Sequence, residues 1–128
     1  MNRIRRALFL LARSSLVGWM VSWLFTHMSF VIPVERLHET DTLIAFHHPQ
    51  PSHPVHILLV PKRKLPSLMA VTAADANFFA DLYQTVQKLV TELNLEEIGY
   101  SLVVNGGAYQ DVPHLHFHLI SDGMNRVT

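Results

Sequence analysis

The sequence predicts an α+β domain with an antiparallel sheet and one long helix, preceded by an apolar N-terminal helix. Three observations carry that expectation. Short β-rich apolar runs bounded by proline and polar residues flank a single long segment of helical periodicity. The first 30 residues are basic at the tip and then almost wholly apolar. In "DVPHLHFHLI", three histidines alternate with leucine and phenylalanine, as on a strand with one polar and one apolar face. At 128 residues the chain fits one domain with a modest core.

Taken in order, residues 1–29 form the apolar segment and residues 30–128 the globular domain. Ala7 to Phe25 would cross a bilayer core of ~30 Å as a helix, with Arg13 as its one internal charge. That arginine costs ~2.5–3.5 kcal/mol at mid-span, less if it snorkels. Arg3, Arg5 and Arg6 would hold the N-terminus in the cytoplasm. The segment therefore reads as a membrane anchor over residues 7–25. It also fits a helix packed on the domain or on a second subunit, or a start at Met28 with a cytoplasmic protein. A cleaved signal peptide fits less well, because Arg13-Ser14-Ser15 interrupts the apolar run.

In the domain, "TDTLIAF" and "VHILLVP" read as strands separated by the proline-rich loop "HHPQPSHP". "TAADANFFADLYQTVQKLVTELNL" reads as the helix. Thr72 and Asp75 form an acidic capping box, and Phe79, Leu82, Val86, Leu89, Val90 and Leu93 recur at helical spacing as core. "IGYSLVVNG" and "HLHFHLI" supply two further strands, joined by a shaped loop, "NGGAYQDVP". The formal net charge of zero excludes the basic footprint of a nucleic-acid binder. The absence of cysteine excludes a mixed Cys/His metal centre and leaves the redox compartment open.

Of nine histidines, His114, His116 and His118 share one strand face. At ~3.3 Å per residue they span ~13 Å, too far for one ion with ~2 Å bonds to hold both ends. A zinc site would therefore need one or two of them with a ligand from elsewhere, such as His56. A backed row of imidazoles equally suits nucleophilic and general acid–base catalysis. One ring attacks while its other nitrogen keeps a proton against a carbonyl, and neighbouring rings titrate as a coupled set. The middle residue, His116, is the best placed to attack. His27 and His38 read as leader or surface residues, and His47 and His53 as solvated loop residues.

"HLHFHLI" resembles the H-φ-H-φ-H-φ-φ signature of the histidine triad (HIT) superfamily of nucleotide hydrolases and transferases. "QDVPHLHFH" resembles its Q-x-V-x-H-x-H-x-H block, and "VVN" carries Asn105 where that superfamily keeps an asparagine. "HILLVPKR" resembles its H-φ-φ-φ-φ-P-K block with His56 as a fourth histidine, and "IPVERLHETDTLIAF" its opening segment. The likeness runs from about Ile32 to Ile120.

The resemblance implies a HIT-like fold, frequently a two-fold homodimer, with no metal or organic cofactor. It implies that His116 attacks the α-phosphorus of a nucleotide to form a nucleotidyl-histidine, which water hydrolyses. His114 would hold the His116 tautomer through its carbonyl, and His118 would donate to phosphate oxygens. His56 would form the polar wall, Asn105 and Gln110 would supply amide hydrogen bonds, and Phe46 would lie in the nucleoside floor. His48 stands where the family commonly has an acidic residue for the ribose hydroxyls. Tyr109 and Asp111 flank Gln110 in a loop about two residues shorter than in many members. These departures raise a second expectation, a nucleotide-binding protein with little or no catalysis.

Overall fold

The computed structural model describes residues 35–123. The expected apolar helix, with its proposed anchor over residues 7–25, lies outside them. Among the described residues no helix is long and apolar enough to cross a membrane.

Five strands form one antiparallel sheet: β1 (Arg36–Glu39), β2 (Leu43–His47), β3 (Val55–Pro61), β4 (Ser101–Val104) and β5 (Phe117–Ser121), in spatial order β1-β2-β3-β5-β4. Helix α1 (Ala76–Glu92) covers one face, and a single turn, α2 (Leu95–Ile98), follows it. Strand β1 was not among the expected strands. It is short and has little apolar signal, with Leu37 exposed, and its backbone is ordered by pairing with β2 across an irregular register. The last strand is also shorter than expected: it starts at Phe117, and His114 sits on a bend before it.

The register explains the two faces. Ala45, Leu59, Phe117 and Val104 form one cross-sheet row, and Phe46, Leu58, His118 and Val103 form the next. Neighbouring rows point to opposite sides because side chains alternate along a strand. The first row, with Leu43, Ile57 and Leu119, packs with Phe78, Leu82, Val86 and Leu89 of α1 in the main core. From the second row, Phe46 and Leu58 join Ile44 and Val60 in a separate small cluster.

The capping box is present as expected. Thr72 Oγ1 accepts from the Ala74 amide, and the Asp75 carboxylate accepts from the Thr72 amide at 3.0 Å. Asp75 also pairs with Arg63. Two core expectations on the helix need correcting. Phe78 is buried and Phe79 only partly so, while Leu93 is 40% exposed. The helix ends at Glu92, and Asn94 turns the chain through a left-handed conformation, so Leu93 leaves the apolar stripe.

Candidate active site

The second sheet face carries a cavity of about 380 Å³. Phe46, Leu58 and Val60 give it an apolar floor with Pro49 at the side, and Asn105, His114, His116 and His118 give it a polar wall. His56 stands behind that wall, on the same face one pair further along β3. Residues as far apart in sequence as Phe46 and His118 thus meet in one pocket, with Asp111 and Val112 also in its lining.

Hydrogen bonds assign the tautomer of each triad ring. The His114 side chain is only 2% exposed, and its Nε2–H donates to the Pro61 carbonyl at 3.0 Å. His116 Nδ1–H donates to the His114 carbonyl at 2.7 Å, which leaves the Nε2 lone pair open. The Ser52 amide donates to His56 Nδ1 at 3.1 Å, so His56 carries its proton on Nε2. That Nε2–H donates to His118 Nδ1 at 2.9 Å. His118 must then hold its own proton on Nε2, a buried atom that makes no hydrogen bond among the described residues. His116, with its lone pair, and His118, with its unsatisfied donor, both line the cavity, their ring centroids 5.1 Å apart.

Electrostatics disfavour the charged forms of His48, His56, His114 and His118. Burial, then the neighbouring His116, His56 and His48, push His118 down to about 4, against a smaller opposing pull from Asp111. Burial chiefly lowers His114, partly offset by its bond to Pro61. His56 and His48 are lowered too, first by burial and then by other imidazoles. Crowded rings that share little water resist a second positive charge.

Two loops brace the wall. The Leu115 amide donates to the Leu65 carbonyl at 2.7 Å. Gln110 gives both of its amide hydrogens to backbone carbonyls, Pro66 at 2.7 Å and Val112 at 2.9 Å. Gln110 does not line the cavity, in contrast to the other expected binding residues, Asn105, Phe46 and His48. Tyr109 is 80% exposed and is likewise outside the lining. His53 is not merely solvated: its ring meets His56 edge-on at 5.8 Å. Ser52 was missed, because a backbone amide donor leaves no mark on residue type. Among the described residues no group of three or more His, Asp or Glu side chains is placed to hold a metal ion.

A five-stranded sheet with a helix on one face and a tautomer-locked histidine wall on the other defines a class of small α+β proteins built around a histidine triad. Comparison with known proteins agrees with it. Residues 29–124 match the HIT domain, and the chain belongs to the HIT family. An uncharacterised HIT-like protein of Synechocystis is 36% identical over 91 residues, covering 70% of this chain and 79% of that protein. A HIT family hydrolase from Legionella pneumophila superposes with a TM-score of 0.70 at 29% identity, over 82% of this chain and 94% of that one. A histidine triad nucleotide-binding protein from Candida albicans superposes with a TM-score of 0.65 at 30% identity, over 78% and 71%.

Proposed function

We propose that the protein is a nucleotide hydrolase or nucleotidyl transferase that works through a covalent intermediate on His116. The observation that carries this reading is the His116 Nδ1–H bond to the His114 carbonyl, which leaves Nε2 as a lone pair facing the cavity. Nε2 attacks the α-phosphorus, and the N–P bond forms as the bond to the leaving group breaks. The leaving group departs with the electron pair and takes up a proton. Water then attacks phosphorus, releases the nucleoside monophosphate and regenerates His116. The unsatisfied His118 Nε2–H donates to a non-bridging oxygen, where charge grows in the transition state. Asn105 adds an amide at the same wall, and the base rests on Phe46, Leu58 and Val60. No metal or organic cofactor enters these steps.

Incubation with a nucleoside 5′-phosphoramidate tests the reading. The parent should release the monophosphate, and a quenched sample should carry one nucleotidyl group by intact mass. His116→Ala should do neither. A second reading, a binding protein without turnover, draws on Asp111 in the lining and on Gln110, whose amide hydrogens are committed to the loop. It predicts nucleotide affinity that His116→Ala leaves unchanged and no adduct in either protein.

Two further features belong to the same proposal. Among the described residues strand β4 pairs only with β5 and ends the sheet, which suits a two-fold homodimer; sedimentation would then give twice the chain mass. Residues 7–25 associate the protein with a membrane, and carbonate-resistant pelleting of the full-length chain tests that.

A further inference from the structure

One group in the cavity is not used by that chemistry. His48 continues the β2–β3 ladder, its amide donating to the His56 carbonyl at 2.8 Å. Its ring stacks on His56 with centroids 4.3 Å apart and planes inclined by 29°. The Gln50 amide donates to His48 Nδ1 at 2.9 Å. The neutral ring is thereby held in place with its proton on Nε2, and it offers a ligand a donor only. It lines the cavity with Phe46 and His118, one pair beyond the Phe46–Leu58–His118 row, with its centroid 6.2 Å from that of His118. A sugar linking a base on the apolar floor to a phosphorus at His116 passes this ring.

A free ribose diol fits a donor poorly. Each hydroxyl can accept from His48, but its own hydrogen then needs an acceptor that the ring does not supply, and an unmet polar hydrogen in a partly dried site is costly. A phosphoryl group has the opposite character: its oxygens only accept, and the bond is charge-assisted. The charges around the cavity are mixed, with the Asp111 carboxylate in its lining and two cations at the neighbouring strands. Arg36 is the register partner of Phe46 on β1, and Arg36 and Lys62 share the single carboxylate of Glu39, which leaves one positive charge over beside the floor.

We infer that this subsite takes a phosphorylated sugar: the preferred ligand is a nucleotide with a second phosphoryl group at the 2′ or 3′ position, received by His48 Nε2–H. The inference rests on the nucleotide reading above and narrows it.

Calorimetric titration of the full-length chain with adenosine 5′-monophosphate, adenosine 3′,5′-bisphosphate and adenosine 2′,5′-bisphosphate tests it. The parent should bind one bisphosphate about tenfold more tightly than the monophosphate, the size of one hydrogen bond to a charged group. The preferred isomer identifies the position. His48→Asp should reverse the order, because a carboxylate accepts from a diol and repels a phosphate, and His48→Asn should bring the ligands close together. Equal binding of monophosphate and bisphosphates by the parent overturns the inference and leaves the nucleotide reading intact. So does a preference that survives unchanged in His48→Asp, which would place the second phosphate elsewhere. Failure of all three ligands to bind the parent removes the nucleotide reading and this inference with it.

Discussion

The two faces of the sheet are made by the same strands yet differ in every respect that matters for function. On the face under α1, Leu43, Ile57, Leu59 and Leu119 are fully buried in the main apolar core. On the other face the same strands present Phe46, Leu58, His56 and His118, with an open cavity above them. Between Leu119 and His118 the chain moves one residue and passes from packing to chemistry. What fixes the site is therefore the rigidity of the residues facing away from it. An imidazole whose neighbours in sequence are locked in a core has few orientations left, and two hydrogen bonds select among those.

If the division of labour is real, substitutions on the two faces should have separable effects. The largest expected effect is on the open face. His116→Ala should lower phosphoramidate turnover by ~10³-fold or more while its urea midpoint stays at the parent value. On the covered face, Leu119→Ala should lose about 2–5 kcal/mol of stability, read from the same urea curves, and should leave kcat of the folded fraction near the parent value. A large drop in kcat there would mean that the faces are not independent.

His56 sharpens the comparison, since it bonds to His118 without itself lining the cavity. His56→Ala should reduce kcat by about 10- to 100-fold with little change in KM. His56→Gln should recover part of the loss, because its amide can accept from the Ser52 amide and donate to His118. If both variants fail equally, the bond to His118 is not what His56 supplies.

Stability against pH distinguishes the faces in another way. The folded protein holds His118 near 4 against an ordinary 6.5, so the unfolded chain binds more protons between those values. Stability should be level above about pH 6.5, fall as pH drops through that window, and level off for this group below about 4. The other lowered histidines act with the same sign. Denaturation midpoints of the parent and His118→Asn across the window check this, and the variant should have the shallower slope. The smallest effect is expected far from either face: Thr72→Ala removes one arm of the capping box and should cost about 1 kcal/mol of stability with no change in turnover.

Much of this arrangement was legible before any coordinates. Alternation in "HLHFHLI" placed Leu115, Phe117 and Leu119 inward and the histidines on the other side, and that is where they lie. The capping box was equally local and equally readable. Features that depend on distant partners were not. Strand β1 is a strand because β2 lies beside it, not because "RLHE" asks for one. The expected role of Gln110 gave no hint that the carbonyl of Pro66 would claim its amide from across the loop. The tautomer of His118 depends on a bond to His56 and, behind it, on the amide of Ser52. A motif names the residues of a site, whereas the protons within it are placed by contacts that the motif does not contain.

The bond between His56 and His118 joins positions 62 residues apart, through a β3–β5 ladder that also pairs Val55 with Ser121. A ladder closed over so long a stretch gains nothing until the loop entropy has been overcome, and such pairings form slowly. The helix hairpin of α1 and α2 can order early from local contacts, but the histidine wall exists only after the ends of the domain have met. Refolding should therefore pass through a stage with a formed helix and no nucleotide site. The return of ligand binding should follow the slowest phase, well after the helical signal has recovered.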